Sequence, residues 1–418
     1  MAVSRPAMEA LPDILAQADV PAGVRSLLER LQSAGHEAWL VGGGVRDLLR
    51  GQHPKDWDIA TQAVPQEVMG LFRRVVPTGI AHGTVTVLIP EGHVEVTTFR
   101  VESAYVDGRR PGSVEFRRDL VEDLARRDFT INALAFDPVG RRFRDPFGGQ
   151  DDLRRGLVRC VGVAAERFGE DGLRPLRAVR FATVLDFELE PETEAAIPGA
   201  LAVFDRVALE RRRDELLKLL LAPAVARGLV LLRRTGLLDR LLPELPPAAD
   251  ADRGARVARA AAVVEVRLAA LLLDARDAAA ALDRLRLPGK VVETVRALLD
   301  HPLPPEAARW TDGEVRRWLV RLGPARWESA RALARAAGTD PDGALGERVD
   351  RLVAARPALS ARELALDGAA IMRALGVGPS PAVGEATRFL LDAVLDRPEL
   401  NTPEALEELL RSGGMRPG

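Results

Sequence analysis

The sequence predicts an α+β fold with a mixed α/β head at the N-terminus and an all-helical remainder. Three observations support this prediction. Runs of β-branched residues that resemble strands occur before about residue 160 and disappear after it. Ala, Leu and Arg, which favour helix, dominate the composition. Pro-rich breaks such as "PELPPAAD" and "DHPLPPEA" separate successive amphipathic segments in the second half of the chain.

The length of 418 residues predicts more than one domain, since a single core rarely serves so long a chain. We predict a head over residues 1–160, a helical neck over residues 161–245, and a helical body and tail over residues 246–418. No fixed-period repeat argues for a solenoid.

The elements of the head follow from local patterns. "VRSLLERLQSAG" predicts an amphipathic helix that ends at Gly35. "EAWLVGG" predicts a buried strand running into a glycine turn, and "KDWDIAT" predicts a strand followed by the helix "PQEVMGLFRRV". Residues 83–99 predict a hairpin around "PEGH", because two alternating runs flank these turn residues. Residues 106–120 lack any period and are rich in Gly, Pro and Arg, which predicts a mobile loop.

Bulk properties exclude several classes of protein. The net charge of −2 excludes a globally basic nucleic-acid-binding chain, so any such site must be a local patch. The single Cys160 excludes an intramolecular disulfide and a CxxC zinc site, and we predict that it is buried. The chain lacks the apolar run of a signal peptide or a membrane helix, so we expect a cytoplasmic protein with no membrane contact.

Two aspartates in "KDWDIAT" have the spacing of paired metal ligands. On a strand, Asp56 and Asp58 would point to one face and Trp57 to the other. Two carboxylates that close repel each other unless a divalent cation such as Mg²⁺ lies between them. Glu95, on the second strand of the hairpin, is a candidate third carboxylate if its strand lies beside that of Asp58. Taken alone, the triplet is more often a solvated acidic strand end or a helix N-terminal anchor than a metal site.

A glycine turn precedes this triplet. "LVGGGVRDLL" places Gly42, Gly43 and Gly44 between a strand and a helix, where free backbone N–H groups can bind an anion. Arg46 in the first helical turn could reach the same anion. The pattern is neither a P-loop nor a dinucleotide-binding fingerprint, and a lone glycine turn is more often only a tight turn.

Five ordered motifs carry a resemblance to a known family. They are "LVGGGVRDLLRGQHPKDWDIAT", "TGIAHGTVTV" with "VEVTTFR", "RRDFTINALAFD", "DPFGGQDDL" and "GEDGLRPLRAVRFA". Together they resemble the class II tRNA nucleotidyltransferases, the CCA-adding enzymes. These enzymes share their head with bacterial poly(A) polymerases and belong to the DNA polymerase β-like superfamily. The resemblance covers about residues 36–185 and continues weakly to about residue 245.

The resemblance implies an activity and roles for particular residues. It implies addition of C, C and A to the 3′ end of tRNA from CTP and ATP, without a nucleic-acid template and with Mg²⁺ as cofactor. Asp56 and Asp58 would bind Mg²⁺, with Glu95 as the third catalytic carboxylate. The residues implied to contact the nucleotide are Gly43, Arg46, Arg127, Asp128, Asn132, Asp171, Arg174, Arg177 and Arg180.

The segment "EDGLRPLRAVR" agrees with a role in reading the base. Asp171, Arg174, Arg177 and Arg180 recur every three residues, so on one helix they would share a face. An Asp–Arg pair can imitate a Watson–Crick edge. The same spacing also fits a surface helix with salt bridges. Pro175 complicates either reading, because it requires the helix to begin or kink near this point.

Several alternatives remain open from the sequence. Poly(A) polymerase is the nearest, although "PTGIAHGTVTVLI" favours tRNA substrates over the pattern of that branch. Enzymes that add only CC or only the terminal A are others. From a different class, the chain could be a catalytically silent RNA-binding protein. The three arginines of residues 211–213 are predicted to be a solvated face, and no oligomeric state is predicted.

Overall fold

The computed structural model describes residues 10–102, 114–116, 119–339 and 341–412. These residues form two compact units that divide between Pro243 and Glu244. Most of the mobile loop predicted over residues 106–120 lies outside the described residues. The predicted domain boundaries at residues 160 and 245 stay predictions.

The first unit is built on a mixed sheet that has seven strands in the part of the chain described. Its strands are β1 (Ala38–Val41), β2 (Trp57–Thr61), β3 (Val75–Gly79), β4 (Thr84–Ile89), β5 (Gly92–Thr98), β8 (Ala135–Asp137) and β9 (Arg142–Arg144). Their order is β3-β4-β5-β2-β1-β8-β9, and β2 runs parallel to β5. Two small sheets pair β6 (Arg100–Glu102) with β7 (Val114–Phe116) and β10 (Leu157–Val158) with β11 (Glu188–Leu189).

Helices surround this sheet and continue beyond it. Those of the first unit are α1 (Asp13–Ala16), α2 (Ala22–Ser33), α3 (Gly43–Leu49), α4 (Pro65–Leu71), α5 (Leu120–Ala125), α6 (Gly149–Arg155), α7 (Ala164–Glu170), α8 (Arg174–Leu185), α9 (Pro191–Ala196), α10 (Leu201–Phe204), α11 (Leu209–Leu220), α12 (Val225–Arg234) and α13 (Leu237–Leu241).

The second unit is helical throughout its described part. Its helices are α14 (Asp250–Arg259), α15 (Val264–Leu272), α16 (Ala278–Leu285), α17 (Gly289–Asp300), α18 (Asp312–Leu322), α19 (Trp327–Ala337), α20 (Gly343–Ala354), α21 (Gly368–Leu375), α22 (Pro381–Asp396) and α23 (Pro403–Ser412). Among the helices described in either unit, none has the length and apolar character needed to cross a bilayer.

Alternation along the strands sends side chains to two cores. Leu40, Trp57, Ile59, Val94 and Val96 belong to a large apolar cluster on one face of the sheet. On the other face a smaller cluster includes Trp39, Val41, Ala60, Phe99, Leu120 and Leu124, the last two from α5. The smaller cluster covers only part of its face, which leaves room there for polar side chains.

Most predicted elements of the head are confirmed. The helix ending at Gly35, the strand that precedes the glycine turn and the hairpin are all present. Gly35 has a φ of 88°, the left-handed conformation expected after a helix end. Cys160 is buried as predicted, and burial raises the pKa of its thiol to about 12.

Other local predictions are wrong. The predicted helix "PQEVMGLFRRV" ends at Leu71, because the chain becomes extended at Phe72 and the β-branched Val75 and Val76 pair with β4. Strand-like pairing does not end at residue 161, since β11 lies beyond it. Strands β8 and β9 were not predicted, and each has only three residues, too few for a clear alternation.

Candidate active site

Two carboxylates meet on the open face of the sheet. Parallel pairing of β2 with β5 places Asp58 directly opposite Glu95, as the sequence suggested. Trp57 points the other way into the apolar core and is 8% exposed, which confirms its predicted direction. Asp56 differs from expectation: β2 begins at Trp57, so Asp56 lies in a bend before the strand and is exposed.

A cleft of about 460 Å³ opens above this pair of carboxylates. Its described lining is Val41, Asp58, Ile59, Thr84, Glu95, Thr97, Arg100, Arg126, Arg127, Asp128, Asp171, Arg174 and Arg177. The candidate residues that this lining does not include are Gly43, Arg46, Asp56, Asn132 and Arg180. The described lining therefore combines carboxylates with arginines, an arrangement suited to a cation and a polyanion bound together.

The environment of Asp58 is that of a carboxylate in need of a cation. Burial raises the pKa of Asp58 to about 6, Arg127 opposes the rise, and the charges of Glu95 and Asp56 add to it. Among the described residues no group of three or more Asp, Glu, His or Cys side chains forms a metal site by itself. Mg²⁺ commonly takes one or two carboxylates and completes its coordination with water and substrate phosphates. The residues present fit that mode of binding.

The glycine turn brings the backbone close to the carboxylate. Gly42 has a φ of 74° and immediately precedes α3. A Cβ at Gly42 would lie 3.0 Å from Nη1 of Arg127 and 3.7 Å from Oδ2 of Asp58. Glycine is therefore favoured here by its backbone conformation, and Arg127 and Asp58 both approach the turn.

Arg127 is held only in part by the protein. Its Nη2 donates to Oδ2 of Asp123 at 3.2 Å, while its buried Nε has no hydrogen-bond partner among the described residues. Burial would raise the pKa of Asp123, but Arg126 and Arg127 outweigh it and lower that pKa. A buried guanidinium N–H without an acceptor is costly, and a phosphate oxygen would satisfy it.

Asp128 is the centre of a chain of hydrogen bonds. Its Oδ2 accepts from Nε and Nη2 of Arg177 at 2.8 and 2.6 Å, and its Oδ1 accepts from Nδ2 of Asn132 at 3.1 Å. Asn132 in turn accepts from Nη1 of Arg46 at 2.8 Å. Burial would raise the pKa of Asp128, yet Arg177 holds it at about 2. This chain joins the helix after the glycine turn to α8.

The segment predicted to read the base is not one continuous helix. α7 ends before Asp171, which is extended, and α8 begins at Arg174 with Pro175 in its first turn. Proline is favoured there because it lacks the N–H that the first turn leaves unpaired. The expectation that Asp171 shares a helical face with Arg177 and Arg180 is therefore wrong.

Asp171 instead takes its position from other partners. Its Oδ1 accepts from the N–H of Leu173 at 3.0 Å, and its Oδ2 accepts from Nη2 of Arg211 at 3.0 Å. Arg211 lies on α11, so a helix some 40 residues further along the chain holds Asp171 in the cleft. The neighbouring Gly172 packs tightly, since a Cβ there would lie 2.5 Å from the carbonyl oxygen of Val203.

The remaining arginines of α8 have different environments. Arg174 is 7% exposed and donates to Glu170 at 2.5 Å and to the carbonyl oxygen of Arg126 at 2.9 Å. Arg180 turns away from the cleft, where its Nε donates to Glu215 at 2.7 Å and its guanidinium lies 3.6 Å from the ring centre of Phe181. Arg180 thus supports α8 rather than lining the cleft.

Sequence reasoning missed several contributors to the site. Arg126 lines the cleft, Asp123 anchors Arg126 and Arg127, and Arg211 holds Asp171. The prediction that residues 211–213 form a solvated face is wrong, because Arg211 and its neighbours are only partly exposed. The spacing of "LERRRDELLKLL" could have indicated that Arg211 is not on a fully solvated face. Arg211 and Glu215 are four residues apart and therefore lie on the same side of the helix.

Comparison with known proteins gives consistent results. The family model described as the poly A polymerase head domain matches residues 38–159. The model described as the probable RNA and SrmB-binding site of polymerase A matches residues 186–248. The CCA-adding enzyme of Geobacillus stearothermophilus is 39% identical over 391 residues, which are 91% of this chain and 94% of that enzyme.

Two further similarities extend this result. The CCA-adding enzyme of Streptococcus sanguinis is 49% identical over 219 residues, covering 52% of this chain and 54% of that enzyme. The crystal structure of the Bacillus stearothermophilus CCA-adding enzyme in complex with CTP has a TM-score of 0.81 and 36% identity. That similarity covers 94% of this chain and 98% of the other.

The head fold and its cleft of paired carboxylates and arginines, together with these matches, define a nucleotidyltransferase. Within that class, the 39% identity to a CCA-adding enzyme over 91% of this chain shows the family. The chain belongs to the family of CCA-adding enzymes.

Proposed function

We propose that the cleft adds C, C and A in turn to the 3′ end of tRNA, using CTP and ATP and releasing pyrophosphate. The observation that carries this proposal is the pairing of Asp58 with Glu95 in a cleft that arginines also line. The relative with 36% identity binds CTP, and the relatives over most of this chain are CCA-adding enzymes. These names do not favour poly(A) synthesis, CC-only or A-only addition, or a silent RNA-binding protein.

In the proposed reaction the terminal 3′-oxygen of tRNA forms a bond to the α-phosphorus of the nucleotide. The bond from the α-phosphorus to the bridging oxygen breaks, pyrophosphate leaves, and the hydroxyl proton passes to solvent. Mg²⁺, held by Asp56 and Asp58 with Glu95 beside them, would supply charge stabilisation for the attacking and leaving oxygens. Asp56 is exposed in the bend before β2, and its charge already acts on Asp58.

The chain's own residues bind and orient the nucleotide. Arg127 offers its unpaired Nε to the triphosphate near Gly42 and Gly43. Arg46 lies beside Gly43 and is positioned by its hydrogen bond to Asn132. Fixed guanidinium groups of this kind need little reorganisation as charge develops on the phosphates.

Base selection would fall to α8 and the residues just before it. Asp171 offers acceptors and Arg174 and Arg177 offer donors in the cleft. Such pairs can match the edge of cytosine or adenine without a template. Arg180 and Asp128 act indirectly, the first by bracing α8 and the second by holding Arg177. The helical parts of the chain are expected to bind tRNA by shape and phosphate contacts. The predicted cytoplasmic location stays a prediction.

The test is an incorporation assay with three tRNAs that end before CCA, after C and after CC. Each is offered CTP and ATP separately, and the 3′ ends are sequenced. The wild-type protein should complete all three. Asp58→Ala and Asp56→Ala should reduce incorporation to background while tRNA binding in a gel-shift assay is retained.

Asp151→Asn is the matched control, because Asp151 is a surface carboxylate paired with Arg154. It should behave as the wild type does. Full activity of Asp58→Ala would refute the assigned metal site. Addition of only CC, only A or a long A tail by the wild type would refute CCA addition itself.

A further inference from the structure

Two threonines lie on the floor of the cleft beside the carboxylates. Thr84 on β4 faces Thr97 on β5, and both line the cleft. Their hydroxyl oxygens are 3.0 Å apart and form a hydrogen bond. The residues between them and the carboxylate row, Val85 and Val96, point into the apolar core. The pair is therefore a polar surface at a defined place in the cleft.

The chemistry of this pair differs from that of the rest of the lining. Each hydroxyl has one donor and two acceptor lone pairs. Their mutual hydrogen bond uses one proton, so one O–H and several lone pairs stay available to a ligand. The surface is uncharged, whereas the other polar lining residues are Asp, Glu and Arg. A neutral donor and acceptor surface suits a sugar hydroxyl better than a phosphate.

The position of the pair relative to the glycine turn is fixed by strand register. Val41 lies opposite Asp58 and leads directly into the turn at Gly42. Because β1 is antiparallel to β2, the glycine turn lies towards the start of β2 from Asp58. Because β5 is parallel to β2, Thr97, two residues after Glu95, lies towards the end of β2. Two residues of strand span about 7 Å. The threonine pair and the glycine turn are therefore on different sides of the Asp58–Glu95 row.

Phosphoryl chemistry gives this placement a meaning. The attacking and leaving oxygens lie roughly in line through the α-phosphorus. If Arg127 and the glycine turn receive the leaving pyrophosphate, as proposed above, the attacking 3′-oxygen must come from the other side of the carboxylates. We propose that Thr84 and Thr97 bind the ribose of the 3′-terminal nucleotide of the RNA acceptor. This inference rests on the proposed function and adds the acceptor subsite to it.

The molecule offers a matched control. Thr78 and Thr86 form a similar hydroxyl pair, 2.9 Å apart, across β3 and β4. Neither is among the residues described as lining the cleft, and Thr78 is exposed. Thr78→Val therefore removes a threonine hydroxyl from the same sheet without touching the proposed subsite.

The experiment uses the full chain and separates the two substrates kinetically. Thr97→Val and Thr84→Val keep the shape and strand preference of threonine and remove the hydroxyl. With a tRNA that ends before CCA, each variant should raise the KM for tRNA about fivefold, the effect of one neutral hydrogen bond. The KM for CTP should not change. Thr84→Ser, which keeps the hydroxyl, and Thr78→Val should match the wild type.

A chemically altered acceptor tests whether the partner is the sugar. A tRNA whose terminal nucleotide is 2′-deoxy should raise the KM of the wild type by a similar factor. It should add little to the KM of Thr97→Val if the two groups bond to each other. Independent effects of the two changes, an unchanged KM for tRNA, or a raised KM for CTP would each overturn the inference.

The result is distinguishable from failure of the proposed function. If the wild-type protein adds no nucleotide to any tRNA, the proposed function itself is wrong. If the wild type is active and the threonine variants equal it, only the acceptor subsite is wrong. If one valine variant loses its cooperative thermal transition, the other valine variant, tested with the 2′-deoxy acceptor, still gives the answer.

Discussion

Replacing Asp128 with asparagine should weaken the fold of the first unit. The change keeps the shape of the side chain and removes its charge. Asp128 is 9% exposed, and it accepts two hydrogen bonds from Arg177, one from Asn132 and one from the N–H of Phe129. The variant leaves the guanidinium of Arg177 without its counter-charge, and in either orientation the amide NH2 group must face two N–H donors.

The size of the effect follows from the acidity of the carboxyl. The pKa of Asp128 falls from 3.8 to about 2, against the effect of burial, because Arg177 stabilises the charged form. Each tenfold change in acidity corresponds to about 1.4 kcal/mol. The ionised form of Asp128 therefore contributes roughly 2 kcal/mol to the free energy of unfolding at neutral pH.

The pH dependence has a definite sign. A carboxyl whose pKa is lower in the folded state contributes its full stability above its unfolded pKa. The contribution of Asp128 is present above about pH 4 and is lost as the pH falls towards 2. The difference in stability between the wild type and Asp128→Asn should therefore shrink over that interval.

Urea unfolding at pH 7 and at lower pH measures these differences. Asp151→Asn is the control, because that carboxylate is on the surface. A variant as stable as the wild type at pH 7 would refute the reasoning. So would a difference that grows as the pH falls below 4.

Three further predictions concern the cleft. Arg211→Ala should raise the KM for both nucleotides about tenfold and weaken discrimination between CTP and ATP, because Asp171 loses its partner. Steady-state kinetics with each nucleotide checks this prediction. Arg211→Lys should recover part of the loss. Gly172→Ala should destabilise the protein by about 1–3 kcal/mol, since its Cβ would meet the carbonyl oxygen of Val203 at 2.5 Å; an unchanged melting temperature would contradict it. Removing divalent cations with EDTA should stop incorporation and added Mg²⁺ should restore it, whereas activity that persists after chelation would contradict the proposed cofactor.

The parts of the head that the sequence predicts well are those with strong local patterns. The hairpin of β4 and β5 is visible because valine and threonine alternate on both sides of "PEGH". The strand of Asp58 is visible for the same reason. The pairing of that strand with β5 is not visible in the sequence. A period-2 pattern fixes which face a side chain takes, but it does not show which strand lies beside it. The pairing of Asp58 with Glu95 was a conjecture that register confirms.

Other features depend on tertiary contacts that no local pattern carries. The spacing of Asp171 and Arg174 suggested one helix, but Pro175 starts a new helix and Arg211 from α11 fixes the aspartate. The chain from Arg46 through Asn132 and Asp128 to Arg177 joins residues up to 131 positions apart in sequence. Resemblance to a family named these residues, but the contacts among them come from the structure.

The positively charged residues described as lining the cleft are all of one type. The lysines of the chain are Lys55, Lys218 and Lys290, and every basic residue described as lining the cleft is an arginine. Guanidinium groups stay protonated at any pH at which the protein is folded. Acylation of lysines would thus leave the substrate-binding charge intact, whereas a dicarbonyl reagent selective for arginine would remove it. Bound nucleotide should protect against that reagent, so chemical footprinting with and without CTP can map the site independently of catalysis.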